Sequence, residues 1–244
     1  MAANKHMPWI VPLAFLVSVV AGLMAAGGGP GYRLGVLDLP TAFAGMRYGA
    51  YVGIAGALLS LAAAIIVRPG TGRKGFVLAL AGLVLGAAAF YGPTSLRGQA
   101  RSVPPIHDIS TDTQDPPSFV AVLPLRAGAA NPPDYAGPET AAQQQQAYPD
   151  LAPLTLPLPP AEAVKRAEAA ARDMGWDIVA VEPAEGRVEA TATTAWFGFK
   201  DDVVVRVRPE GDGSRIDVRS KSRVGRSDLG ANAARIRDYL ARLK

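Results

Sequence analysis

With 244 residues, 49% of them hydrophobic and 19% charged, the chain is too apolar for disorder and is expected to fold or to enter a membrane. Its net charge of +4 is no nucleic-acid signature, because residues 1–103 carry +7 and residues 104–244 carry −3. The absence of cysteine excludes disulfides, thiolate nucleophiles and Cys-ligated zinc.

Three apolar stretches come first, at about residues 9–26, 48–67 and 75–92. Each is free of charge and as long as a helix needs to cross ~30 Å of hydrocarbon, where backbone groups must be satisfied within the helix. They predict a three-span transmembrane anchor over residues 1–103. Arg68, Arg73 and Lys74 crowd the short connection between the second and third spans, and Lys5 falls on the same side. The positive-inside rule then puts that side in the cytoplasm and the C-terminal part outside it, which in a bacterium would mean the inner membrane and the periplasm. Arg33, Arg47, Arg97 and Arg101 lie on the opposite side. An alternative for the first stretch is a signal peptide, since Lys5 precedes it and Ala25, Ala26 and Gly27 follow; the other two spans form a hairpin under either reading. Gly49-xxx-Gly53 and Gly82-xxx-Gly86 allow close helix approach, as a dimer seam or as packing of the hairpin on itself. Ser18 and Ser60 alone supply no ion path, so the spans read as an anchor.

Residues 104–160 hold thirteen of the twenty-one prolines and a Gln143 to Gln146 run, and predict an extended segment, with Phe119 to Leu123 a possible strand. Beyond it, residues 161–244 form the expected core of the soluble domain. Val164, Ala167, Ala171 and Met174 share a helix face between Pro160 and Gly175. Four strands follow, at Trp176 to Val181, Arg187 to Thr194, Val203 to Arg208 and Arg215 to Ser222. In the last pair Val203, Val205, Val207, Ile216 and Val218 alternate with Arg206, Arg208, Asp217, Arg219 and Lys221, which predicts one buried and one wet face. A closing helix from about Asp228 to Leu243 carries Leu229, Ala233, Ile236, Leu240 and Leu243 as one stripe. The fold class is therefore α+β: three transmembrane helices, then a four-stranded antiparallel sheet covered by two helices.

The runs Ile106-His107-Asp108-Ile109-Ser110-Thr111-Asp112, Gly186 through Asp202 and Ser222 through Asn232 resemble the domain-of-unknown-function family 1499 over roughly residues 104–244. The resemblance implies a domain boundary and, from the layout of bacterial members and the thylakoid-lumen association of plant relatives, an extracytoplasmic location. It implies no activity and carries no catalytic residue.

Among candidate sites, Arg219 and Arg223 alternate on one strand face with Lys221, and Arg226 and Ser227 arrive at a helix N-terminus, where N–H groups and the macrodipole favour an anion such as a lipid head group. The other reading has Ser227 or Asp228 capping the helix while Arg223 and Arg226 pair with Asp201, Asp202 or Asp228. Trp196, Phe197 and Phe199 form an aromatic cluster, readable as an apolar pocket, a membrane contact or a core-filling turn with Lys200, Asp201 and Asp202 as its solvated exit. His107 with Asp108, Asp112 and Asp115 has the residue types of a metal site or oriented base, but a proline-rich loop is a poor platform for either and a loop histidine is the expected role. No nucleophile elbow or phosphate loop is present, so no catalytic residue, metal or cofactor is expected. The expected role is a non-enzymatic accessory or interaction domain that meets a protein partner through the wet sheet face. The alternative is a binder of an anionic lipid or small amphiphile, and a hydrolytic or metal site at His107 is the least favoured.

Overall fold

A computed structural model describes residues 6–244; Lys5, used for orientation above, lies outside the described residues. The chain divides into two compact units, residues 1–99 with Trp196–Gly198, and residues 100–195 with 199–244.

The first unit consists of α1 (Ile10–Arg33), α2 (Leu39–Ile66) and the greater part of α3 (Phe76–Ser102), all long and apolar enough to cross a membrane. They outrun the expected stretches because helix continues past the apolar windows. Asp38, for example, caps α2 ten residues before Tyr48 by accepting the Thr41 N–H at 2.8 Å, with Pro40 in the first turn. The glycines work inside the bundle. A Cβ on Gly49 would sit 2.7 Å from the Ala25 nitrogen, and one on Gly53 2.8 Å from the Gly86 carbonyl. Gly53 and Gly86 thus pack the α2–α3 hairpin on itself, the second of the two readings above, while Gly49 brings α2 against α1, which neither reading included.

The second unit is a six-stranded antiparallel sheet. Its strands are β1 (Asp108–Ser110), β2 (Leu154–Leu156), β3 (Asp177–Glu182), β4 (Arg187–Thr193), β5 (Lys200–Glu210) and β6 (Gly213–Ser222), in the order β1-β6-β5-β4-β3, with β2 also on β6. Four strands were expected. The two additions come from the proline-rich segment and pair end to end along one edge of β6, β1 opposite Arg219 to Lys221 and β2 opposite Ser214 to Ile216. Phe119 to Leu123 is not a strand; it leads into a 3₁₀ turn at Leu123–Arg126, and the segment also forms α4 (Pro138–Ala147).

The apolar alternation holds. Val203, Val205, Val207, Ile216 and Val218 share one sheet face with Val188 and Ala190, beneath α5 (Pro160–Asp173) and α6 (Ala231–Leu243). Burial of each Val or Ile side chain is worth roughly 1.5–3 kcal/mol. Trp176 stacks on Tyr239 at 5.0 Å, and the Tyr239 hydroxyl donates to the Ala167 carbonyl at 2.8 Å. That bond ties α6 to α5.

Candidate functional site

The opposite sheet face reverses the expectation of a wet surface. Asp217, Arg219 and Lys221 on β6 and Asp202 on β5 are almost completely buried, because residues 111–137 lie over them as a strap. A charge so buried is tolerated only when paired and hydrogen-bonded. Here every carboxylate gathers several donors.

Asp108, fully buried on β1, receives Arg219 Nε at 2.8 Å and Nη2 at 2.9 Å, Lys221 Nζ at 3.0 Å and the Ala136 N–H at 3.2 Å. Asp202 receives Arg126 at 2.6 Å, Arg223 at 2.8 and 2.9 Å and the Thr191 hydroxyl at 2.8 Å. Asp217 takes Arg206, Arg208 and Arg215. The cations then continue into the strap's main chain. Arg219 donates to the Pro117 and Pro133 carbonyls and Lys221 to that of Asp134 at 2.6 Å. Phe119 lies under the Arg219 guanidinium, 4.7 Å from ring centre, and Arg126 stands 5.5 Å from the same ring.

Glu189 on β4 holds the strap's far side. Its carboxylate accepts three consecutive main-chain N–H groups, Val120, Ala121 and Val122, at 3.0–3.1 Å, and also pairs with Arg187. Phe119 and Val122 are pressed onto Val204, while Val120, Leu123 and Leu125 point outward, 52%, 42% and 50% exposed. Three large apolar side chains are thereby presented on a backbone that is already ordered. Beyond the strap, the Gln144 side chain of α4 binds both the N–H and the carbonyl of Ser110, occupying the outer edge of β1 as another strand would.

Desolvation governs the ionisation of this face. Burial pulls the Lys221 ammonium below its ordinary value against the pull of Asp108. Burial, helped by the Asp108 charge, pushes the Tyr135 phenol up to about 12.

The residues read as an anion site are placed as follows. Arg219 is buried on Asp108 and Arg223 is paired with Asp202. Arg226 is exposed, its carbonyl 3.3 Å from His107 Nδ1. Ser227 Oγ accepts the Leu229 N–H at 3.2 Å. The N–H groups at the start of α6 are met by Asp228, which takes Gly230 at 2.8 Å and Asn232 at 2.9 Å. The end of α6 thus already carries the protein's own carboxylate, and burial raises that carboxyl above the ordinary aspartate value. Asp201 and Asp202, expected to be solvated, are buried instead: Asp201 reaches across to Arg235 of α6 at 2.6 Å.

The aromatic cluster divides between the units. Trp196 and Phe197 pack edge to face at 5.1 Å in the helical unit, where Phe197 meets Tyr32 and Phe43. Phe199 belongs to the sheet unit, closing the turn with Thr194: its carbonyl accepts the Thr194 N–H and its own N–H donates to the Thr194 hydroxyl, each at 2.9 Å. Trp196 Nε1 donates to the Ala26 carbonyl at 3.1 Å. The reason lies in α1: that carbonyl would bond the N–H of residue 30, which is proline and has none. Gly29 makes room, since a Cβ there would lie 2.5 Å from Trp196 Cδ1.

His107 is separated from the neighbouring acids, because Asp108 faces Arg219 while Asp112 bonds Arg215 at 2.8 Å. Among the described residues no group of three or more His, Asp or Glu side chains has metal-binding geometry. Sequence reasoning missed Asp108, Glu189, Asp217 and Arg126 as the organisers of this face. The available signal was the run of Arg215, Asp217, Arg219, Lys221 and Arg223 at alternate positions, too dense in charge for a face meant only for water.

The architecture defines a helical membrane-associated unit joined to an α+β unit whose charged sheet face is closed by a proline-rich strap. Residues 108–243 match the family described as "Protein of unknown function (DUF1499)", and the chain belongs to that family. No curated protein and no solved structure shows significant similarity to the chain.

Proposed function

We propose that this protein is a non-enzymatic interaction module held by its three helices in a bacterial inner membrane, with the α+β unit in the periplasm. The outward Val120, Leu123 and Leu125 carry this reading. Large apolar groups on a soluble surface mark interaction sites, and a backbone fixed in advance by Glu189 gives up little entropy when a partner binds. The partner is a protein with a complementary apolar surface, met by the strap in place of the sheet face beneath it. The basic connection holding Arg68, Arg73 and Lys74 supports the orientation.

Both parts are open to test in whole cells. A photoreactive amino acid at position 123 is expected to give one discrete adduct, lost when Val120 and Leu125 are both changed to Ser. Crosslinking that is unaffected by those changes refutes the contact. Because the chain has no cysteine, Asp212→Cys and Thr71→Cys report orientation cleanly: an impermeant maleimide should label the first and spare the second, and the reverse pattern overturns the topology.

A further inference from the structure

The helical unit contains a groove of about 430 Å³ between α1 and α3, with Trp196 at its lining. Gly22, Ala25 and Ala26 form one wall and Leu85, Ala88 and Gly92 much of the other. The volume falls within the ~300–1,000 Å³ of small-molecule sites. Elsewhere in this bundle small residues bring backbones into contact, as Gly53 does with Gly86. Here they do not: a Cβ added to Gly22 or to Gly92 would meet nothing within 4 Å. Beside Ala25 and Ala89, which belong to a buried cluster with Ala21, the space is therefore left open by two glycines that packing does not require.

We propose that this groove seats one acyl chain of a phospholipid from the surrounding bilayer. The inference rests on reading the three helices as membrane spans, and it names the site at which that anchor selects a lipid. The walls fit hydrocarbon and little else. Ser95, the polar residue among them, has its hydroxyl bonded to the Gly92 carbonyl at 2.8 Å, and the Trp196 N–H is committed to Ala26. A head group would find no donor there, so the chain enters the groove and the head group stays outside. Trp196 supplies the rigid closure. Its indole is fixed at two points, by the carbonyl that Pro30 leaves unbonded and by the space that Gly29 provides, so an aromatic plane covers one part of the groove. An open apolar volume of this size in hydrocarbon forfeits dispersion contacts unless a chain fills it.

The test uses the full-length protein in vesicles of phosphatidylethanolamine and phosphatidylglycerol containing a phospholipid with a diazirine near the end of one acyl chain. Labelled residues are mapped by mass spectrometry. Strong labelling is expected at residues 22–26, 85–92 and 196, above that of Leu58 and Ile65 on the exposed surface of α2. Gly22→Leu with Gly92→Leu, for which the structure has room, should cut groove labelling about tenfold, the equivalent of about 1.4 kcal/mol, and leave Leu58 and Ile65 unchanged. Equal labelling of groove and α2 surface, insensitive to the substitutions, means ordinary surrounding lipid and overturns the proposal. Absence of label from α2 as well overturns the membrane reading beneath it.

Discussion

Asp108→Asn removes one charge and keeps the side-chain shape, yet it leaves two cations, Arg219 and Lys221, buried without their shared counter-ion. Breaking a buried pair by removing one partner costs about 3–5 kcal/mol. For a unit of this size each kcal/mol shifts the melting temperature by roughly 2–4 °C, so a fall of the order of 10 °C is expected. Lys221→Met is the milder change: Asp108 keeps both Arg219 bonds and an ammonium that burial already disfavours is gone, while the Asp134 carbonyl loses its donor. Its cost should be about 1–3 kcal/mol. Calorimetry of the full-length protein in detergent compares the two, and hydrogen exchange across residues 111–137 locates the damage. Equal melting temperatures for wild type and Asp108→Asn, with unchanged strap protection, would show that the network does not hold the strap and would refute the reasoning.

Three further outcomes are expected. Glu189→Gln weakens the acceptor of three N–H groups and should cost about 1.5–3 kcal/mol, seen as faster proteolysis within residues 119–126 before global unfolding. Asp228 has a folded-state pKa raised by burial above its unfolded ~3.9, so the native state holds a proton that the unfolded state has released, and stability falls as pH rises through that window. Asp228→Asn should abolish that fall and leave neutral-pH stability equal or higher, as denaturant melts from pH 4 to 7 will reveal. Gly29→Val places a carbon where Trp196 sits and should displace the indole, read as a red shift of tryptophan emission that Gly27→Val, in open space, does not produce.

What could be read from the chain before folding depended on how local the signal was. Uncharged stretches give three spans directly, and the alternation Val203, Val205, Val207 against Ile216 and Val218 gives the β5–β6 hairpin and its apolar face, because each pattern repeats within a few residues. The strands β1 and β2 are three residues long, and they exist because β6 offers a vacant edge about 60 residues further along for β2 and about 110 for β1. No local period encodes that. Asp108 was legible only as the neighbour of His107, since its partners stand 111 and 113 positions away. Asp202 is nearer in the chain, 21 positions from Arg223, and stands among the pairing partners that the sequence offers for it; the structure joins the two. Trp196 is an intermediate case: its anchor on α1 is prepared locally by Pro30, which withholds an N–H from Ala26, but nothing near Pro30 says which residue will take that carbonyl.

Beside its inward side chains, Arg126, Phe119 and Asp112, the strap is gripped by groups that every polypeptide possesses. Arg219 and Lys221 hold the carbonyls of residues 117, 133 and 134, and Glu189 holds the amides of residues 120–122. The sheet therefore reads the path of this segment and its inward side chains, and leaves the outward ones unread. Outward positions such as Val120, Leu123 and Leu125 can be rewritten with little effect on folding. Much as an antibody framework carries interchangeable loops, the sheet would support a library of strap surfaces, and variants selected for new partners should keep the parent's melting temperature.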